Sequence, residues 1–560
     1  MTSTMSPRSV EAASDMAASR ADALFKAAHM LVASGRRQSA QDLLRAAFGQ
    51  GRNIKAIHRN LPALLKAEDA GLARDFLTIL SGFVSGQPAP VWLTEAELTL
   101  DGRTPFTAEE LRLRLAAVPQ GQLPAEPGPV CYVLHKSLPE DTTGYSMRSH
   151  AFIRALQAWN LPLYCITRFG FPNDLGQQSS ADRHIVDQVT YHRIGGDGRR
   201  QFKNAAYFEQ SAKALAARLG PLRPRAIMAA SNHENAAAAL LAARRLGVPF
   251  IYDLRGFWEL SRLSFDPDFG KTAQFRIIHD LEAEIARQAD LVFTLTVAMQ
   301  EELSRRGVRE TPVRILPNAA DPARFRPRPR DARLAAQLGI PEDVAVIGYI
   351  GSFNPYEGLD DLARACATLH RQGVDFRLLL VGDEPGHLKG LVEPELRRIV
   401  AEGGFGAKVI MPGRVPGDAA EQWYSLIDIA PIPRKSLRVT ELVPPLKALE
   451  AMAMEKAALV TALPALQEIV RDRQTGIVVA KDDPEALVAG LMLLLRNPAL
   501  RQTLGRNARR WVVEERNWDV LAQHCLEAID ALSALRQPGS AAAERRRLDR
   551  PDLSGVSARS

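Results

Sequence analysis

Cysteine is scarce in this chain. Cys131, Cys165, Cys366 and Cys525 are the four present in 560 residues, and no two stand at a zinc or redox spacing. That excludes a disulfide scaffold and a thiolate metal site, and leaves free, mostly buried thiols in a reducing compartment as the expectation. Long apolar runs are also missing: no stretch approaches the ~18 residues of a membrane span. The opening segment, MTSTMSPRSVEAASDMAASR, has no apolar secretory core. A cytoplasmic location is therefore expected. Charge of one sign is not in large excess either. Lys and Arg number 71 against 64 acidic residues, a net charge of +7. Nucleic-acid binding needs a concentrated basic stripe, so no nucleic-acid partner is expected. The same modest charge suits phosphate-bearing substrates or an anionic membrane surface.

Several familiar chemical signatures fail on spacing. Gly270-Lys271-Thr272 has Phe265 where a phosphate loop needs its first glycine. Ile194–Gly198 (IGGDG) lacks the strand-turn-helix setting of a dinucleotide site and reads as a loop. Asp266 and Asp268 flank a proline in a polar segment and read as a solvated turn rather than a metal pair. No nucleophile elbow is present, and no metal or cofactor is expected.

What is present is organised in three parts. Residues 1–20 are small and polar and read as disordered. Residues 21–115 form an α-helical, hairpin-like domain, with apolar spacing in ADALFKAAHMLVASGRR, SAQDLLRAAFGQG, LPALLKAEDAG and ARDFLTILSGF. Such arrays present protein-binding surfaces, so a protein partner is expected for it. A Pro/Gly-rich linker spans residues 116–129. From Val130 the pattern becomes short β-branched runs alternating with helices. The runs are VCYVLH, LPLYCIT, AIMAAS, PFIYDL, LVFTLT and VRILP, within residues 130–325. A second series, VAVIGYIG, FRLLLVG, KVIMPG, IDIAPI, AALVTA and IVVA, fills residues 335–515. Near-continuous apolar strands between helices mean parallel sheets covered on both faces. The fold class is thus α/β: two Rossmann-like domains facing a cleft, plus the helical domain. Ligands bind such sheets at the carboxyl ends of the strands. A last amphipathic helix at 516–535 is placed to cross back to the first Rossmann-like domain, and residues 537–560 read as a disordered tail.

Four stretches at strand ends carry chemistry. In LHKSLPEDTTGYSMRSH, Gly144 and Tyr145 open a helix whose first turns hold Arg148 and His150. Helix N-termini attract phosphate or carboxylate. In IYDLRGFWEL, Asp253, Arg255, Trp258 and Glu259 crowd the end of a buried strand, which is costly unless they are paired or used. In VIGYIGSFNPYEGLDD, Gly351 follows a strand and Gly358 precedes a helix, leaving room for a diphosphate. In IAPIPRKSLRVTELVPPLKALEAMAMEK, Arg434, Lys435 and Arg438 lead into a Pro-started helix with Lys447 and Glu450.

These stretches resemble glycosyltransferase family 4, a retaining group with the GT-B fold. GYSMRSH, YDLRGFWE, ADLVFTLTVAMQEEL, VRILPNAADPARF, YIGSFNPYEGLD, LLLVGDEP, VIMPGRVP, ELVPPLKALEAMA and TGIVVAKDDPEAL occur in family order. Their style is similar to enzymes of bacterial exopolysaccharide and surface-glycan assembly. The resemblance implies transfer of a sugar, with retention, from a nucleotide-sugar donor to a glycan or lipid-linked acceptor. It implies no cofactor beyond that substrate. It makes residues 130–325 the acceptor domain and 335–515 the donor domain. A lipid-linked acceptor would bring the enzyme to the cytoplasmic face of the inner membrane as a peripheral contact.

The resemblance also implies site residues. Glu450 matches the second member of the family's paired glutamates and is expected on the ribose. The first falls at Leu442, one place from Glu441, so Glu441 and Glu450 stand as the catalytic pair. The family's arginine and lysine for the diphosphate read Ser352 and Glu357 here, which passes that task to Arg434, Lys435 and Lys447 beside Gly351 and Ser352. Gly144, Tyr145, Arg148, Arg255 and Glu259 are expected on the acceptor side, and Asn318 at the interdomain hinge. Two alternatives compete: a degenerate scaffold or binding protein of the same fold, and a sugar-nucleotide epimerase.

Overall fold

The computed structural model describes Arg20, Leu61 and residues 22–48, 70–82, 91–118, 126–177 and 181–534. The expected disorder of the two termini and most of the LPALLKAEDAG helix lie outside the described residues.

The chain divides into two compact units. The first comprises residues 1–106 with 197–211. Residues 22–33 are helical, followed by helices Arg37–Phe48, Ala70–Gly82 and Val91–Arg103. Their apolar faces meet in a core that includes Phe25, Ala28, Leu44, Phe76, Leu80 and Leu100. Phe25 and Phe76 pack edge to face at 5.0 Å.

The second unit, residues 107–196 with 212–560, contains both Rossmann-like domains. It also takes in the helix Ala108–Ala117, which sequence patterning placed with the helical array. Thr107 caps it by accepting from the Glu110 amide, and Leu111 is fully buried. The helix packs on helix Ala273–Gln288, where Arg112 pairs with Glu284 at 2.9 Å. The boundary falls at Phe106 because this helix packs on the second unit, and an apolar stripe reveals that a helix is buried but not against what.

The first domain has strands β1 (Val130–Leu134), β2 (Leu163–Thr167), β3 (Arg183–Val186), β4 (Val189–His192), β5 (Ala226–Ala230), β6 (Phe250–Asp253), β7 (Leu291–Thr294) and β8 (Val313–Ile315). Their order is β3-β4-β2-β1-β5-β6-β7-β8. β1 and β5 are buried at every residue, as parallel strands covered on both faces must be. The antiparallel β3–β4 hairpin at the edge went unread in the sequence. Its turn places Asp187 at φ 45° and Gln188 at φ 68°. That is the left-handed conformation usually supplied by Asn-Gly.

The second domain has β9 (Val346–Ile350), β10 (Arg377–Val381), β11 (Val409–Gly413), β12 (Ile429–Ile432), β13 (Ala457–Thr461) and β14 (Gly476–Val479). The order is β11-β10-β9-β12-β13-β14, all parallel. The chain leaves β9 toward β10 on one side and returns to β12 on the other, so the topological switch point lies between β9 and β12.

The last helix, Trp518–Ala534, joins the core of the first domain through Trp518, Leu521, Cys525 and Ile529, packing on helix Gly144–Ala158. The crossing is pinned where the Ala320 amide donates to the Arg516 carbonyl at 3.0 Å. The four cysteines are buried and free, and burial raises the Cys131 and Cys165 thiols to about 12. Among the described residues no helix is long and apolar enough to cross a membrane.

Candidate active site

Three chain segments converge at the switch point. The first is the turn after β9. Gly351 adopts φ 151°, and a Cβ there would lie 3.1 Å from Lys447 Cε and 3.3 Å from its Nζ. The positive φ favours glycine here, and a Cβ would crowd the end of the lysine. The turn then runs through Glu357 to Gly358, at φ 71°, where a Cβ would sit 1.9 Å from the Pro433 carbonyl oxygen. The second segment is the loop after β12, with Arg434 and Lys435. The third is the helix Leu446–Ala453, which starts behind Pro445 with no side-chain cap and carries Lys447 and Glu450 one turn apart.

Glu357 is the centre of the cluster. It is 2% exposed, and its carboxylate accepts from Arg434 at 2.8 and 3.1 Å and pairs with Lys447 at 2.8 Å. Burial pushes its carboxyl up, but Arg434 and Lys447 outweigh that and hold it at about 2. The Lys447 ammonium is drawn down to about 8, because burial, with Arg434 beside it, outweighs the help from Glu357. Lys447 also donates to the Tyr349 hydroxyl at 2.5 Å. Arg434 donates to the Val443 carbonyl at 2.8 Å, and Thr461 donates to the Arg434 carbonyl at 2.8 Å, which fixes the loop.

Glu450 keeps partial exposure and accepts from the Tyr424 hydroxyl at 3.1 Å. Burial raises its carboxyl against the opposing pull of Tyr424, Arg324 and Lys447. The other sequence-predicted residues of this domain lie further out. Lys435 pairs with Asp360 at 2.7 Å, at the start of the helix after β9. Ser352 is exposed, and its carbonyl accepts from the Tyr349 hydroxyl at 2.9 Å. Glu441 pairs with Lys481 at 2.7 Å and accepts from Ser436 at 2.9 Å, so it does not join Glu450. Leu442, in the place of the expected first glutamate, is buried, and its carbonyl accepts from Thr296 of the first domain at 2.8 Å.

The first domain meets this site through small residues. A Cβ on Gly144 would lie 3.9 Å from Leu446, and one on Gly256 would lie 3.5 Å from Val443. Gly144 begins the helix Gly144–Ala158, whose N-terminus has no side-chain cap. Two uncapped helix N-termini, one per domain, therefore start next to each other. Tyr145 lines this approach, with its hydroxyl accepting from the His135 amide at 2.9 Å and Arg255 lying 4.8 Å over its ring.

The remaining acceptor-side candidates are spent on the domain's own structure. Arg255 donates to Asp253 at 2.8 Å, to Ser149 at 2.7 Å and to the Tyr132 hydroxyl. Arg148 donates to Asn318 at 3.0 Å, to the Leu316 carbonyl at 3.3 Å and to Asp253 at 3.4 Å. Glu259, 1% exposed, pairs with Arg306 at 2.7 Å rather than with Arg255. All three side chains are buried. Charged residues at a strand end were legible in the sequence, but Asp253, Tyr132 and Arg306 as their partners were not. Tyr349 and Tyr424 were likewise missed, because nothing in their local pattern separates them from core tyrosines.

Two facing Rossmann-like domains, with a switch-point site between them and a C-terminal helix returning to the first, define the GT-B fold. The family described as glycosyl transferases group 1 matches residues 331–511, and the glycosyl transferase 4-like domain matches residues 142–319. Together the two matches mark the chain as a glycosyltransferase of the GT-B type. Among curated relatives, a D-inositol 3-phosphate glycosyltransferase of Acidothermus cellulolyticus is 29% identical over 274 residues, covering 48% of this chain and 59% of that one. The chain thus spans only about three-fifths of the length of such relatives. Among solved structures, a sucrose-phosphate synthase of Thermosynechococcus elongatus superposes with a TM-score of 0.59 at 21% identity, over 72% of this chain and 99% of that one. HepE of Anabaena, in complex with UDP-glucose, gives a TM-score of 0.51 at 16% identity, over 72% and 99%. At these identities the structures speak for the fold.

Proposed function

We propose that the chain transfers a sugar from a nucleoside-diphosphate donor to a glycan or lipid-linked acceptor, with retention of anomeric configuration. The observation that carries this reading is the placement of Lys447 and Arg434 together with Gly351 and an uncapped helix N-terminus at the switch point. Two cations and free helix amides suit a departing diphosphate. Glu450, one turn beyond Lys447, suits the ribose hydroxyls. HepE, a neighbour solved with UDP-glucose, supports a sugar-nucleotide ligand for this architecture.

In the reaction the bond between the anomeric carbon and the diphosphate oxygen breaks, and its electron pair leaves with the diphosphate. Lys447 and the helix Leu446–Ala453 offset the developing charge, so the side chains take the place a metal has elsewhere. The acceptor hydroxyl bonds to the anomeric carbon on the same face, and its proton passes to the departing phosphate oxygen. No side chain serves as nucleophile. The Gly144–Tyr145 turn and its helix N-terminus bound the acceptor side. Closure of the domains excludes the water that would hydrolyse the donor.

The test is thermal unfolding with UDP, GDP and ADP. A ligand at ~100 times its Kd adds about 2.7 kcal/mol to the native state. A clear upward shift with one base, abolished in Lys447→Ala, is the expected result. No shift with any of them would favour a scaffold role. One observation leans that way: Glu357 neutralises one of the two cations.

A further inference from the structure

Glu357 raises an electrostatic puzzle. A carboxylate at a diphosphate site weakens binding by direct repulsion unless it does something that outweighs the loss. Its geometry shows what that could be. Arg434 lies on the loop after β12 and Lys447 at the start of a helix, and both side chains are long and flexible. One carboxylate oxygen meets both: Oε1 is 2.8 Å from Arg434 Nη2 and 2.8 Å from Lys447 Nζ, while Oε2 takes Arg434 Nε at 3.1 Å. The turn delivering Glu357 is itself clamped to the Arg434 loop, through Gly358 against Pro433 and through the Lys435 amide donating to the Tyr356 carbonyl at 3.0 Å. Without the carboxylate, the buried Arg434 and the half-buried Lys447 would face each other as unpaired cations.

We propose that Glu357 is a positioning residue of the diphosphate site, holding Arg434 and Lys447 together at the ends of β9 and β12 and keeping Lys447 charged. This rests on the nucleotide-sugar reading above. The groups facing Lys447 are Glu357 and Tyr349 from β9 and its turn, Arg434 from the β12 loop, Tyr424 from the helix Ala420–Leu426, and Glu450 on its own helix. Of these, Glu357 is the carboxylate in direct contact with the ammonium. Its removal therefore shifts Lys447 toward the neutral amine even though a negative charge has left the site.

The prediction runs opposite to simple charge counting. Calorimetric Kd values for UDP, GDP and ADP would be measured from roughly pH 6.5 to 9 on the full chain. For the wild type, affinity falls as pH rises through about 8, where Lys447 loses its proton. Glu357→Gln binds ~10-fold more weakly at about pH 7.5, and its fall begins about a unit lower. Glu357→Asp restores part of both. Lys447→Arg, always charged, removes the fall altogether and supplies an independent check should Glu357→Gln fold poorly. Equal or tighter binding by Glu357→Gln with an unmoved midpoint, or a fall that persists in Lys447→Arg, overturns the proposal and leaves the donor reading standing. A wild type that binds none of the three overturns both.

Discussion

Asn318 donates its side-chain amide to the Pro444 carbonyl across the domain boundary at 2.9 Å. Its own oxygen accepts from Arg148 at 3.0 Å, and Arg148 lies 5.7 Å from the Trp518 ring of the returning helix. One buried amide therefore ties the donor-side loop, the first domain and the C-terminal helix together. Asn318→Ala leaves a buried guanidinium N–H and a carbonyl unpaired, each a loss of about 1–3 kcal/mol. Urea unfolding should show the extrapolated stability fall by that order, as a lower midpoint with an unchanged slope. An unmoved midpoint would show that the bridge is replaced at no cost.

A second tie is ionic. Glu302 pairs with Arg306 at 2.9 Å within the first domain and with Arg438 of the second. Arg306 reaches on to Glu259 at 2.7 Å, so a chain of charges runs from the end of β6 to the loop of the donor side. Arg438 is 39% exposed, which discounts its contribution toward surface-pair values of below about 1 kcal/mol. The buried Glu259–Arg306 pair is another matter, because removing Arg306 strands the Glu259 carboxylate, at about 3–5 kcal/mol. Arg438→Ala should change stability little, and Arg306→Ala should change it strongly. Comparable losses in denaturant melts of the two would contradict this assignment.

The contrast explains what was legible in the sequence. Both series of parallel strands could be read because strands covered on both faces must be continuously apolar, as in VCYVL and AALVT. Lys447 and Glu450 could be placed because helical spacing fixes i and i+3 on one face. The β3–β4 hairpin escaped because Asp187-Gln188 is an unusual pair for its turn. Pairings across long sequence distances escaped for a more general reason. Glu357 and Arg434 are 77 residues apart, and Arg148 and Asp253 are 105 apart, so nothing local reveals that the fold spends one charge on another. Glu357 was visible as a departure from the family pattern, and only the geometry turns the departure into a partner.

Glu450 should trade stability against function. Burial raises its carboxyl, with Tyr424, Arg324 and Lys447 only partly opposing. A raised value means the protonated form fits the fold better, so its contribution is fully present below the unfolded carboxyl pKa and is lost as pH rises through the folded one. At neutral pH Glu450→Gln removes an uncomfortable charge and keeps an acceptor for the Tyr424 hydroxyl. Its thermal midpoint at about pH 7 should exceed that of the wild type. Donor turnover should fall ~10–100-fold, the scale of losing one or two charged hydrogen bonds to the ribose. Turnover at the wild-type level would remove Glu450 from the donor site.

Glu357 should show the opposite pH behaviour. Burial is outweighed by Arg434 and Lys447, and its carboxyl is held at about 2. A depressed value contributes stability above the unfolded carboxyl pKa, near 4.3 on the ~1-unit scatter of such groups, and that stability is lost as pH falls toward about 2. The acid limb of the wild-type stability curve should therefore carry a component between about pH 5 and 2 that Glu357→Gln lacks. Near neutrality the same variant should be less stable, since Arg434, 7% exposed, then loses its anion. Guanidinium unfolding at a series of pH values separates the two effects. Parallel curves for wild type and variant across the acid limb would mean that the Glu357 carboxylate is not held by these cations in solution.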